Sequence, residues 1–266
     1  MKKNDFSALM RRQRGAALII VMILLVAITV IGTLAVRQGM VSLGVATNSQ
    51  AQQLLMQNSD AAFFNVEKTD NIIQSLSSSG MFGYIDGATN KDKEIVFCFR
   101  GDKPDFFDIN RASIIEWNAP DRKPKNDSLG TDGYCNAKPQ SINFFTSGRK
   151  AAMTQVAVKF STLMNNDPFY GAVLGTDDDQ VKLERSRPVK VFAVSVMPTL
   201  TQVDPDKINK CFSQKMNEVT VPSGVTPETG LEKIDSASLS VTQCLTELNV
   251  PFVSYATEYV IAQDFV

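Results

Sequence analysis

The sequence predicts an α+β protein in which one long N-terminal helix packs on an antiparallel β-sheet. Residues 16–76 contain no proline, are almost wholly apolar at first, and then carry apolar residues at helical spacing. After Gly80 the chain changes to short runs of β-branched and aromatic residues. Turn-rich stretches such as 101–133 separate these runs, without the regular crossover helices that a parallel sheet requires.

The first part of the predicted helix is apolar enough to lie in a membrane. Residues 16–36 are 21 consecutive uncharged residues, mostly Ala, Leu, Ile and Val. At about 1.5 Å per residue they span roughly 30 Å, which matches the hydrocarbon core of a bilayer. A buried helix of a soluble domain is the alternative. The length and the lack of charge favour a transmembrane helix.

The charges that flank this segment predict its orientation. Five basic residues, Lys2, Lys3, Arg11, Arg12 and Arg14, precede it, against one acidic residue, Asp5. The segment that follows is sparse in charge, so the positive-inside bias keeps residues 1–15 in the cytoplasm and the rest beyond the membrane. A secretory signal peptide would have a shorter apolar region followed by a cleavage site of small residues. Here the apolar run continues directly into a helix-forming segment, so we do not expect cleavage on the far side of the membrane.

Beyond residue 36 the predicted helix continues as an amphipathic segment. The residues that form its apolar stripe are Ala51, Leu54, Leu55, Ala62 and Val66. Ser77-Ser78-Ser79-Gly80 supplies turn residues and a glycine, so we expect the helix to end between residues 68 and 79. Five runs with strand character follow, at residues 94–99, 142–146, 155–161, 189–197 and 253–262.

The four cysteines, Cys98, Cys135, Cys211 and Cys244, lie outside any CxxC pattern. Their even number and wide spacing favour two disulfides over a metal-thiolate site. Four cysteines permit three connectivities, and the local pairing Cys98–Cys135 with Cys211–Cys244 is the one we predict. Buried free thiols are the alternative.

The composition argues against several kinds of chemistry. The chain has no histidine, which removes the usual general base at neutral pH and the commonest nitrogen ligand of transition metals. A formal net charge of -1 gives no sign of a direct nucleic-acid site. The sequence therefore predicts neither a catalytic nor a cofactor nor a metal site.

Three short motifs give only weak signals of a functional site. Residues 147–150 fit the Ser-x-x-Lys pattern of penicillin-recognising enzymes, but the companion motifs are missing from the chain. Residues 100–102, Arg-Gly-Asp, match a tripeptide that integrins read, yet Gly and Asp are common turn residues. The three aspartates at 177–179 lack the spacing of a helix–loop–helix calcium loop.

Three aromatic residues, Phe106, Phe107 and Trp117, lie in the polar segment 101–133. Such residues either hold a loop against the body of the protein or form a contact surface on it. The sequence leaves both alternatives open.

The junction Arg14-Gly15-Ala16 places a glycine between the basic cluster and the apolar run. Residues 12–21, Arg-Gln-Arg-Gly-Ala-Ala-Leu-Ile-Ile-Val, resemble the class III leader of type IV pilins and pseudopilins, and most of all the PilX group of minor pilins. The resemblance extends over residues 1–50 and implies that prepilin peptidase cuts after Gly15 and methylates Ala16. It divides the chain into a leader 1–15, a transmembrane helical half 16–36, a periplasmic helical half 37–79 and a head 80–266.

One position departs from the general pilin pattern. Most pilins carry a glutamate at the fifth mature position, which is Ile20 here. A carboxylate in the bilayer costs about 3 kcal/mol unless it meets a partner, and in ordinary pilins that partner is thought to be the terminal amine of a neighbouring subunit. A subunit at the tip has no neighbour above it, so Ile20 favours a position at the tip. A single-pass anchor that has drifted from the pattern is the alternative.

The resemblance implies a structural assembly protein of a type IV pilus, active in twitching motility, adhesion and DNA uptake. The partners that it implies are other minor pilins, the major pilin, a PilY-type tip adhesin, prepilin peptidase and the inner-membrane assembly platform. The K pseudopilin of type II secretion is the nearest alternative, although that family usually has a large helical insertion in its head. A signal-anchored periplasmic enzyme or sensor is the alternative from another class, and it would retain residues 1–15.

Overall fold

The computed structural model of the chain describes residues 14–85, 90, 92–101, 105–138, 151–160 and 186–262. Its helices are α1 (Arg14–Glu67), α2 (Thr69–Ser75), α3 (Pro205–Gln214) and α4 (Val241–Glu247). Its strands are β1 (Lys93–Phe99), β2 (Ala112–Glu116), β3 (Met153–Phe160), β4 (Ser186–Val196) and β5 (Phe252–Ala262). The predicted α+β layout, a long apolar N-terminal helix and an antiparallel sheet, is confirmed.

The chain divides into two compact units, residues 1–51 and 52–266, and α1 runs from the first into the second. The second unit contains the sheet, with strand order β2-β1-β3-β4-β5 and antiparallel pairing throughout. Four of the five predicted strands correspond to β1, β3, β4 and β5. The fifth, at 142–146, lies outside the described residues, as do the motifs at 147–150 and 177–179 and Asp102 of the Arg-Gly-Asp tripeptide.

The helical region ends where the turn residues predict. α1 ends at Glu67, Lys68 has an extended backbone, and α2 then runs to Ser75. The chain turns back at once, because the Phe82 amide donates to the Ser75 carbonyl at 2.9 Å. A Cβ atom at Gly83 would overlap the Ser77 carbonyl, so this close approach requires glycine.

One face of the sheet is covered by the part of α1 that belongs to the second unit. Ala62 and Val66 share a hydrophobic cluster with Ile95, Phe97, Val156, Val158 and Val191 of the sheet. Leu55 is 1% exposed, whereas Leu54, which the sequence placed on the same apolar stripe, is 39% exposed.

A small hydroxyl cluster also joins α1 to the sheet. Ser195 Oγ lies 2.7 Å from Ser59 Oγ and 2.7 Å from Thr154 Oγ1, and all three side chains are fully buried. Because each hydroxyl meets another, their burial leaves no unsatisfied polar group in the interface.

The opposite face of the sheet is covered by the segment 205–250. Phe212 of α3 and Leu245 of α4 are fully buried, in a cluster with Met153, Val194 and Val196 of the sheet. The sequence did not lead us to predict α3, α4 or β2. Local signals exist for both helices: Asp204 accepts a hydrogen bond from the Asp206 amide, and Ser240 forms a capping box with Gln243.

Charged side chains attach this covering segment to the sheet. The carboxylate of Glu94 accepts hydrogen bonds from the amides of Asn217 at 2.8 Å and Glu218 at 2.9 Å, and from Asn217 Nδ2 at 3.1 Å. Burial raises the pKa of Glu94, while these donors and nearby Lys159 oppose that rise. Lys190 Nζ lies 2.7 Å from Glu218 Oε2 and completes the attachment.

The aromatic residues of segment 105–138 hold it against the sheet. Trp117 is 1% exposed, and its Nε1 donates to the Asp121 carbonyl at 2.8 Å. The ring of Phe97 makes edge contacts with Phe106 at 5.3 Å and with Phe107 at 5.1 Å between centroids. Of the two alternatives for these aromatics, the structure supports attachment of the loop.

The structure contains two disulfides, Cys98–Cys135 and Cys211–Cys244, which is the local pairing predicted from the sequence. The first joins the end of β1 to the segment that follows β2, and the second joins α3 to α4. Each closes a long loop, with sequence separations of 37 and 33. Closing such loops stabilises a fold mainly by restricting the unfolded chain.

We expect the double variant Cys211→Ser and Cys244→Ser to lower the free energy of unfolding of the second unit by about 3 kcal/mol. The measurement is denaturant unfolding of the full chain in mild detergent, followed by the fluorescence of Trp117, the only tryptophan. Thr229→Ser, at an exposed position, is the control and should shift stability by less than about 0.5 kcal/mol. Equal midpoints for the double variant and the wild type would refute a stabilising role.

Candidate functional site: the exposed apolar surface of the N-terminal helix

The first unit presents an uninterrupted apolar surface. The large apolar side chains of α1 from Leu18 to Val36 are each 51–67% exposed. They lie on every side of the helix, so no described part of the chain covers any face of it. We call this set, from Leu18 to Val36, the apolar helix surface. Among the described residues, α1 is the one helix long and apolar enough to cross a membrane.

The few polar side chains on this surface have hydrogen-bond partners within the helix itself. Thr29 Oγ1 donates to the Val26 carbonyl at 2.8 Å, and Thr33 Oγ1 donates to the Val30 carbonyl at 2.9 Å. In a helix the backbone amides and carbonyls are also paired within the segment. The apolar helix surface can therefore leave water without exposing an unpaired polar group to hydrocarbon.

Apolar exposure continues beyond the predicted membrane span. After the single charge of Arg37, four side chains, Met40, Val41, Leu43 and Val45, are 65–68% exposed. No charged residue lies between Arg37 and Asp60. Residues 38–50 are all exposed, and the buried stripe begins at Ala51, which is also the first residue of the stripe that the sequence predicts.

Glycines leave space along the same helix. A Cβ atom added at Gly32, Gly39 or Gly44 would meet no atom within 4 Å. Small residues allow the backbones of neighbouring helices to approach closely, which is the main source of helix association in lipid. The surface is therefore suited both to lipid and to close contact with other apolar helices.

The residues of the predicted cleavage junction lie at the start of this helix. α1 begins at Arg14 and includes Gly15 and Ala16, so Ile20 follows Ala16 by about one turn. The Ile20 side chain is 59% exposed and belongs to the apolar helix surface. The basic residues at 2–12 lie outside the described residues.

The second unit has a cavity with a charged lining. A cavity of about 450 Å³ is lined by Lys123, Glu228, Asp235 and Lys215 among others. Lys215 is buried and its Nζ donates to the Ser236 carbonyl at 2.8 Å, and burial lowers its pKa. No group of three or more metal-ligating side chains occurs within the described part of the chain.

Comparisons of the chain with protein-family models, with curated proteins and with solved structures give no match. The functional assignment therefore depends on the residues of this chain alone.

We expect the double variant Ile23→Asp and Val30→Asp to lose most of its membrane integration. Two carboxylates near the centre of the span add about 6 kcal/mol to the cost of insertion. The matched control is Val41→Asp with Val45→Asp, at positions that are at least as exposed but lie beyond the predicted span. Alkaline carbonate extraction of membranes measures the integrated fraction. If extraction released the control variant from the membrane and left the first variant integrated, the membrane-spanning segment would lie elsewhere on the helix.

Proposed function

We propose that this chain is a minor pilin that primes assembly of a type IV pilus and sits at or near its tip. The observation that carries the proposal is the Arg14-Gly15-Ala16 junction at the start of a helix whose apolar surface is uncovered for at least five turns. A cut after Gly15 would remove every basic residue before the span and leave a new terminus at its first residue.

The exposed helix has two successive roles in this proposal. Before assembly it anchors the subunit in the inner membrane, with the second unit in the periplasm. During assembly it leaves the lipid and packs against the corresponding helices of other minor pilins and of the major pilin. The glycines at 32, 39 and 44 support that transfer, since close helix packing replaces lipid contacts of similar apolar character.

The α+β layout supports the proposal at a coarser level. A type IV pilin-like fold combines a long N-terminal helix with an antiparallel sheet that packs on its second half, and α1 with β1–β5 has this arrangement. Two disulfides suit a protein that works outside the cytoplasm, where thiols are oxidised and no cytosolic chaperone acts. The partners in this proposal are the other minor pilins, the major pilin, a PilY-type tip adhesin, prepilin peptidase and the assembly platform.

Ile20 supports a place at the tip over a place in the shaft. At this position a glutamate could neutralise the terminal amine of a neighbouring subunit, and isoleucine cannot. A subunit recruited once, ahead of the major pilin, has no neighbour above it that would need this carboxylate. The K pseudopilin of type II secretion also lacks the glutamate. However, that family usually has a large helical insertion in its head, whereas the helices of the described head, α3 and α4, have only 10 and 7 residues.

The Gly15→Leu variant should accumulate as an uncleaved precursor in the inner membrane. A bulky side chain at the residue before the cut blocks the peptidase, whereas the apolar span still inserts. Immunoblots of membranes from native cells distinguish precursor from mature protein by size, and Gly39→Leu serves as the control glycine substitution. Normal cleavage of Gly15→Leu would refute the assignment as a pilin, whereas a wild-type protein that retains residues 1–15 would favour a signal-anchored enzyme or sensor.

A second experiment tests the position in the filament. If the subunit sits at the tip, Ile20→Glu and Ile19→Glu should impair pilus formation equally, because each buries a carboxylate at a cost of about 3 kcal/mol. If it sits in the shaft, Ile20→Glu should be tolerated better, because only that carboxylate can meet a terminal amine.

Pilus number per cell, counted by electron microscopy, measures this effect. Deletion of the gene should reduce the number of pili and leave those that remain with ordinary width and length. Immunogold label along the whole shaft would contradict the tip position.

A further inference from the structure

The two edges of the sheet differ in how the chain protects them. At one edge, β2 has buried residues from Ala112 to Ile115, and Glu116 exchanges backbone hydrogen bonds with Lys125 at 2.8 and 2.9 Å. The Gly133 amide, which donates to Ser113 Oγ at 2.9 Å, covers the same edge. This edge is closed by the segment 105–138.

The opposite edge is formed by β5. It pairs with β4 without interruption, from the pair Phe252 and Val196 to the pair Ala262 and Ser186. The pairing has no bulge, so the outer side of β5 carries a regular row of backbone amides and carbonyls. No strand of the described chain pairs with this outer side. From Phe252 to Val260 no residue is buried, although its neighbour β4 is buried from Val191 to Val196.

β5 has few of the features that usually prevent an edge strand from pairing. It contains no proline, lysine or glycine, and most of its residues are β-branched or aromatic. Its one charged residue is Glu258, which forms a 3.2 Å ion pair with Lys190 of the neighbouring strand. An edge of 11 residues with a single charged side chain is suited to strand addition.

We propose that the outer edge of β5 is a docking site for an extended, non-acidic strand of another protein. This inference rests on the proposed function. A subunit recruited once per filament has no second copy of itself beside it, so the added strand would come from a different protein. Backbone hydrogen bonds would supply most of the affinity, since only another extended chain matches the spacing of the amides and carbonyls along β5. The partner would therefore be a member of the tip complex with an exposed terminal or loop segment.

The side chains of β5 define the chemistry of the added strand. On the face that α1 covers, Tyr255 and Thr257 would lie beside β-branched or aromatic residues of the partner. On the opposite face, Ala256 leaves room for a bulky residue, while Glu258 would repel a carboxylate and favour a basic or neutral residue. Two β5 strands in full antiparallel overlap would bring two Glu258 carboxylates to diagonal positions, which disfavours a second copy of this chain.

The test is photo-crosslinking of the full chain in native cells. The variants Tyr255→p-benzoylphenylalanine and Thr257→p-benzoylphenylalanine place the probe on one face of β5, two residues apart. Leu231→p-benzoylphenylalanine, at a fully exposed loop position, is the control. We expect the two β5 probes to attach to residues two apart in one segment of one other protein, with no acidic residue opposite Glu258.

A second pair of variants tests the edge itself. Adding Ala256→Lys to the Tyr255 probe should lower the crosslink yield about fivefold, because a lysine on an edge strand opposes strand addition. Adding Thr229→Lys, which places the same charge at an exposed position outside the sheet, should leave the yield unchanged. An equal yield with Ala256→Lys would overturn the proposal.

Other crosslinking results would also overturn it. These are crosslinks to residues 161–185 or 263–266 of the same chain, to β5 of a second copy, to several unrelated segments, or no product above the Leu231 control. The state of the Gly15 junction in the same membranes separates the two proposals. A cleaved protein without matched crosslinks refutes the docking edge alone, whereas an uncleaved protein refutes the proposed function.

Discussion

The central physical constraint on this molecule is the cost of leaving the apolar helix surface in water. Its large side chains from Leu18 to Val36 are more than half exposed on every side of α1. Covering them would contribute on the order of 20 kcal/mol, which exceeds the net stability of a typical domain. The chain therefore needs lipid or other apolar helices around α1. The proposed transfer of α1 from a membrane into a filament core would meet this requirement at each stage.

The second unit differs from the apolar helix surface, because most of its large apolar side chains are covered within the unit. Its sheet is covered on one face by the end of α1 and on the other by the segment 205–250, so the central strands are buried on both faces. Buried polar groups in these layers are paired, as in the Ser59, Thr154 and Ser195 cluster and around Glu94. Among the described strands, β5 has an outer edge that no other described strand covers, and this is the basis for proposing it as a contact edge.

The sequence predicted the parts of the fold that follow from local pattern. A long apolar segment without proline predicted α1, strongly β-forming runs predicted β1, β3, β4 and β5, and cysteine spacing predicted the two disulfides. It did not predict β2, where Ala112 and Ser113 give a weak strand signal and pairing with β1 decides the conformation. The short helices α3 and α4 depend on their caps, on burial against the sheet and on the disulfide that joins them.

The most direct test of the pilin assignment is the chemical identity of the N-terminus of the protein isolated from native cell envelopes. Mass spectrometry of the N-terminal peptide should show a chain that begins at Ala16 with a methylated amine. Such a terminus requires both cleavage after Gly15 and the methylation that accompanies it. A mature protein that retains residues 1–15, or that begins beyond residue 36, would contradict the assignment.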